Sequence, residues 1–284
     1  MGRRKNHSSV LNLLMATWLT RCNIAKTMSE HKSNVPENEY LNGKVALITG
    51  GAKRIGACLS RTLHAAGMNV VVHYHSSLDA ARALQEELNA KRKNSCILIQ
   101  CELTAYNKLK PLVDESARQM GRLDVLVNNA SAFFPTPVGD TNAHHWNTLL
   151  DTNLKAPFFL TQAAAQHLKK HHGCVINLID IYAERPLADH AAYCASKAGL
   201  ASLTRSFAQS LAPDVRVNGI APGAILWPEN QHDEVAQKRL ISRTPLKRAG
   251  QPQDIADTAL FLIQDAPYIS GQILTVDGGR TIVP

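Results

Sequence analysis

The chain has 284 residues, 45% of them hydrophobic and 5% aromatic, with 31 Lys/Arg against 23 Asp/Glu and a formal charge of +8. That is enough apolar material for one substantial α/β domain, and it excludes a disordered or fibrous chain. The basic excess is not one nucleic-acid-binding arm, because residues 1–38 hold only six Lys/Arg against two Asp/Glu, and Lys91-Arg92-Lys93 is the sole later basic triplet.

Residues 2–5 (Gly2-Arg3-Arg4-Lys5) followed by an apolar stretch over 10–19 have the form of a targeting segment. Asn12 and Thr17 interrupt that stretch, no small-residue cleavage site follows, and it is too short to cross a bilayer. A disordered or partner-bound tail, or an upstream start preceding Met28, fits better. Residues 1–40 are therefore expected to be a basic, disordered tail, with 34–38 as its linker, and residues 41–284 a single domain. The six cysteines are scattered with no C-x-x-C, which argues against a metal site or a disulfide frame and for reduced thiols in the cytoplasm.

From residue 41 onward, short apolar runs alternate with helical periodicity. Strands are predicted at 45–49, 70–73, 96–100, 125–128, 175–178, 215–220 and 272–276. Helices are predicted from Ile55, over 77–90 with a serine cap, up to Met120-Gly121, over 141–171 with Pro157 kinking or dividing the helix, and over 191–211. Seven strands alternating with helices predict a Rossmann-type, doubly wound parallel sheet with ligands at the strands' carboxyl ends.

The first strand runs into Thr49-Gly50-Gly51-Ala52-Lys53-Arg54-Ile55-Gly56, and a helix follows. Glycines there let the backbone approach a pyrophosphate, and a helix N-terminus favours negative charge. The second strand ends in His73-Tyr74-His75-Ser76-Ser77. An NAD site carries an acidic residue here for the ribose 2′-hydroxyl; this chain has imidazoles and hydroxyls, with Lys53 and Arg54 nearby. That chemistry suits a 2′-phosphate, so NADPH is expected over NADH. Strand-end packing is the alternative for His73 or His75. Tyr193 and Lys197, four apart in the last predicted helix, share one face. A lysine so placed favours the phenolate and lowers the tyrosine pKa from about 10.

The Thr-Gly turn, Asn128-Asn129-Ala130, Tyr193-x-x-x-Lys197, Pro222-Gly223 and Val276-Asp277-Gly278-Gly279 together resemble the short-chain dehydrogenase/reductase family, in its order and spacing over residues 41–284. Two departures point to one branch. Arg54 stands where the family's turn has its middle glycine, and its guanidinium can reach both pyrophosphate and a flat heterocycle. Asp180 stands thirteen residues before Tyr193, where most members carry a serine for the substrate carbonyl. A carboxylate there would repel a carbonyl's developing charge; it could relay protons to Tyr193 or bind the N–H groups of a pterin.

Both departures are features of pteridine reductases, and residues 128–137 are similar to that branch's loop. The resemblance implies that Ser131 touches cofactor and pterin and that Phe133 stacks on the pterin ring. It implies a cofactor role for Gly50, Ile55, Glu102, Leu103, Asn129, Ala130, Pro222, Gly223 and Ile225, and a water path to Lys197 shaped by Asn153. Trp227 either lines the pocket or anchors the loop that continues through 229–248. The implied activity is hydride transfer from NADPH to a dihydropterin, an oxidised pterin or dihydrofolate, with Tyr193 as proton donor to a ring nitrogen. A homotetramer is the family's habit. The alternatives are a carbonyl reductase of the same family, on a 3-oxoacyl thioester or a sugar, and a non-catalytic NADP-binding scaffold or sensor.

Overall fold

The computed structural model describes residues 40–225 and 234–283; the expected tail and Trp227 lie outside the described residues. One compact unit begins at Leu41. It holds seven strands: β1 (Val45–Ile48), β2 (Asn69–Tyr74), β3 (Cys96–Gln100), β4 (Val125–Asn128), β5 (Cys174–Leu178), β6 (Arg216–Pro222) and β7 (Ile273–Val276). They form a single parallel sheet in the order β3-β2-β1-β4-β5-β6-β7. Chain order reverses between β1 and β4, so the crevice at their carboxyl ends is the expected ligand site.

Buried β1 is apolar at every position because both faces of the sheet are covered. Ala46 and Ile48 point into the layer formed with α1 (Arg54–Ala65), α2 (Leu78–Lys91) and α8 (Pro252–Gln264). Val45 and Leu47 point into the opposite layer, with α3 (Leu109–Met120) and α5 (Ala156–Lys170). The remaining helices are α4 (Ala143–Leu150), α6 (Ala191–Ser210) and α7 (Glu234–Ser242), the last lying inside the stretch expected to be a polar loop. Among the described residues no helix is long and apolar enough to cross a membrane.

One local expectation needs correction and another is refined. Ser77 stands at the N-cap of α2 but makes no side-chain cap bond, since its ψ of 54° lies outside the extended region a capping residue adopts. The helical region over 141–171 is divided beside Pro157 as expected, into α4, a wide turn and α5, although Pro157 does not break the helix it enters. It falls in the first turn of α5, and the distortion comes before it, as a wide turn over Asp151–Lys155 in which Ala156 N–H donates to Asp151 O five residues back. A proline ring clashes with the carbonyl four residues earlier in ordinary α geometry, and one extra residue in the turn relieves that clash. The wide turn carries Asn153.

Candidate active site

The carboxyl ends of β1 and β4 are tied together by side chains. Thr49 Oγ1 accepts from Asn129 N–H (2.9 Å) and Ala130 N–H (3.0 Å), while Asn129 Nδ2 donates to Thr49 O (2.8 Å) and Gly50 O (3.1 Å). Gly50 has φ 60°, and a Cβ on it would come within 3.2 Å of Ala130 Cα. A Cβ on Gly56 would lie 2.1 Å from Gly50 O, so this glycine lets α1 seat directly on the turn. Arg54 opens α1 at φ 51°, a left-handed value costing a side-chain-bearing residue about 1–2 kcal/mol; the family's glycine at this position avoids that cost. Lys53, at the N-cap of α1, makes no side-chain cap bond, so the helix start is not covered by its own cap. A glycine turn that admits close approach, leading to such a helix start, fits a nicotinamide dinucleotide's pyrophosphate.

The second-strand residues divide into two groups. His73 is 2% exposed; its Nδ1 accepts from Gly50 N–H at 3.0 Å and its Nε2 donates to Cys101 O at 3.0 Å. Both ring nitrogens are therefore spent on backbone, and His73 braces the turn rather than reaching for a phosphate. Tyr74 is likewise buried in the core. His75 and Ser76 are exposed and Ser77 is half-buried. His75 Nε2 lies 2.6 Å from Glu102 Oε2, and Glu102 Oε1 accepts from Thr104 N–H at 3.1 Å. Leu103 and Ile225 are buried in the two sheet-flanking layers, and Gly223 N–H donates to Val276 O at 2.9 Å beside Pro222.

Burial pushes the His73 imidazole down to about 4, with the Cys101 carbonyl opposing. The folded chain then keeps it neutral, while the unfolded chain protonates it below about 6.5, so stability is lost as pH falls from 6.5 towards 4. A denaturation midpoint measured at pH 7.5 and again at pH 5 is expected to reveal about 2 kcal/mol lost through this group. His73→Gln should flatten the slope; an unchanged slope would place the titrating group elsewhere.

On α6, Tyr193 and Lys197 are both buried. Tyr193 Oη donates to Asp180 Oδ2 at 2.7 Å, and Asp180 Oδ1 accepts from Tyr182 N–H at 2.9 Å at the head of the short turn Ile181–Ala183. Lys197 Nζ donates to Leu178 O at 2.9 Å and lies 5.8 Å from the centre of the Tyr193 ring. The expected lowering of the tyrosine pKa by the lysine is not what this geometry produces. Burial, and then the Asp180 carboxylate, hold the phenol well above its usual value. Burial also raises the Asp180 carboxyl, against its hydrogen bonds from Tyr182 and Tyr193, and pushes the Lys197 ammonium down to about 8. The phenol is therefore a buried, protonated group hydrogen-bonded to a buried carboxyl.

Asn153, 1% exposed, uses its whole amide: Oδ1 accepts from Ala132 N–H (2.8 Å) and Ser131 Oγ (3.1 Å), and Nδ2 donates to Ala132 O (2.9 Å) and Ser196 Oγ (3.1 Å). It thereby joins the loop after β4 to α6. Phe133 is 49% exposed, with its ring centre 4.7 Å from that of Tyr193 in an edge-on arrangement. Phe134 instead packs against Leu149, Ala192 and Tyr193. Sequence reasoning did not single out Thr136, His190 or Ser196. His190 was within reach of it, since it lies one turn before Tyr193.

This fold, with this Tyr193, Lys197 and Asn153 arrangement above a glycine turn, defines an oxidoreductase class that uses a nicotinamide cofactor. Residues 50–281 match the family described as enoyl-(acyl carrier protein) reductase. Pteridine reductase 1 of Leishmania tarentolae is 34% identical over 279 residues, covering 84% of this chain and 96% of the relative. A 3-oxoacyl-(acyl-carrier-protein) reductase of Staphylococcus aureus is 37% identical over 241 residues, covering 83% and 97%. An uncharacterized oxidoreductase of Methylorubrum extorquens is 33% identical over 245 residues, covering 84% and 98%. The chain belongs to the short-chain dehydrogenase/reductase family.

Proposed function

We propose that the protein is an NADPH-dependent pteridine reductase that reduces a dihydropterin ring. The carrying observation is the 2.7 Å bond from Tyr193 to Asp180. A ketone site needs a neutral hydroxyl where Asp180 stands, because charge develops on the carbonyl oxygen; protonation of a ring nitrogen needs a proton source instead. The exposed Phe133 ring beside Tyr193 supports a flat heteroaromatic substrate, as does the pteridine reductase relative.

The residues then divide the work. A bound reduced nicotinamide supplies a hydride to a ring carbon. Tyr193 Oη gives its proton to the adjacent ring nitrogen and recovers one from Asp180. Lys197 and Asn153 hold the cofactor ribose and the loop at Ser131 in place. Lys53 and Arg54 of the glycine turn and His75, Ser76 and Ser77 after β2 would supply donors to a 2′-phosphate; β2 itself ends without a carboxylate, and the Glu102 carboxylate lies 2.6 Å from His75.

The second reading is a 3-oxoacyl thioester reductase, favoured by the 37% identity to that enzyme. NADPH oxidation by purified protein with dihydrobiopterin, dihydrofolate and acetoacetyl-CoA separates the two. Pterin turnover is expected to dominate; turnover of the thioester alone would reject the pteridine reading.

A further inference from the structure

Resting on the pteridine reading, we propose that His190 is a positioning residue: it fixes the plane of Phe133 and so sets the enzyme's preference for flat heteroaromatic substrates. The two rings are stacked, 4.8 Å between centres and 17° from parallel. Neither ring is a loose surface group. His190 Nδ1 donates to Ala188 O at 2.7 Å, which fixes the imidazole against its own backbone. The loop carrying Phe133 is tied to the same segment: Thr136 bridges to His190, Thr136 N–H donates to Asp189 O at 2.5 Å, and Ala192 N–H donates to Thr136 Oγ1 at 3.2 Å. Asp189 adopts φ 57° to make this approach, a left-handed value that aspartate tolerates better than most residues.

The consequence is geometric. Phe133 projects from a loop and is half exposed, so its ring would otherwise sample several orientations. His190 covers one face, leaving a ligand ring only the face turned away from it. Because His190 is the residue before α6, and Tyr193 lies one turn into that helix, the stacking plane and the proton donor are referred to one rigid element. A planar ligand is thereby offered to Tyr193 at a fixed tilt. An aliphatic thioester, which has no ring to stack, draws nothing from the arrangement.

The test compares His190→Ala and His190→Phe with the wild type, using dihydrobiopterin turnover and the binding of fluorescent biopterin to the NADP-loaded protein. Loss of one aromatic stack is expected to raise KM and the biopterin Kd about 3- to 10-fold in His190→Ala, with kcat changed less than about twofold. His190→Phe, which keeps the stack, should stay within about twofold of the wild type. The inference is overturned if His190→Ala binds biopterin as the wild type does, or if His190→Phe is as impaired as His190→Ala, since the side chain would then act through something other than its ring. If the wild type neither binds biopterin nor turns over dihydrobiopterin, the pteridine reading fails and the inference goes with it. Wild-type turnover with an unaffected alanine variant removes the inference alone.

Discussion

Tyr193→Phe is expected to lower kcat by about 10²- to 10⁴-fold while leaving NADPH affinity within about twofold. The substitution removes one oxygen and keeps the ring that packs with Phe133, Leu149 and Ala192. It also leaves Asp180 with its backbone bond from Tyr182 and Lys197 with its bond to Leu178 O. What is lost is the one hydroxyl that donates to Asp180 among the described residues, and with it the proposed path of the proton to the substrate. Cofactor binding, followed by NADPH fluorescence, reports on the glycine turn and is independent of that path. Turnover surviving to within tenfold of wild type would mean that the donor is another group.

Asp180→Asn is expected to lower kcat about 100-fold and to change the shape of the pH profile. As found, the phenol donates to a carboxylate. Once Asp180 takes up a proton, the bond reverses: the carboxyl donates to Tyr193 Oη, and the phenolic proton is free for the substrate. Burial raises the Asp180 carboxyl, which brings the protonated form closer to working pH. The active form is the protonated one, so kcat/KM for dihydrobiopterin should be high below the raised Asp180 pKa and fall as pH climbs through it. An asparagine amide neither gains nor loses that proton, so this limb should vanish in the variant. Lys197, pushed down to about 8, contributes a separate change at higher pH that should persist. If the lower limb persists in Asp180→Asn, Asp180 is not the titrating group.

The seven strands were legible because most are short apolar runs that give way to glycine or polar residues, and in a doubly covered sheet that pattern has few other solutions. That Tyr193, Lys197 and Asp180 would lie together was legible too, since they stand at fixed spacings. Their coupling was not. A lysine four residues after a tyrosine says nothing of how deeply the phenol is buried or that its hydroxyl faces the Asp180 carboxylate, and so the direction of the phenol's pKa came out reversed. His73 shows the same blindness from the other side. An imidazole at a strand end reads equally as phosphate binder or packing group, and only its position, buried between Gly50 N–H and Cys101 O, decides. The wide turn before Pro157 was hidden because the sequence marks the proline but not how far upstream the helix makes room for it.

That wide turn also restricts which length changes the chain can accept. The turn holds one residue more than an α turn, so a deletion within 151–155 would close it to ordinary α geometry, drive the Pro157 ring against the carbonyl four residues back and shift Asn153 around its turn. The amide of Asn153 would then leave the partners it now holds at Ala132, Ser131 and Ser196. In most surface connections a residue gained or lost is absorbed locally. Here the count of residues works as a key cut to one length, and substitutions that spare Asn153 should be far better tolerated than any change in that count.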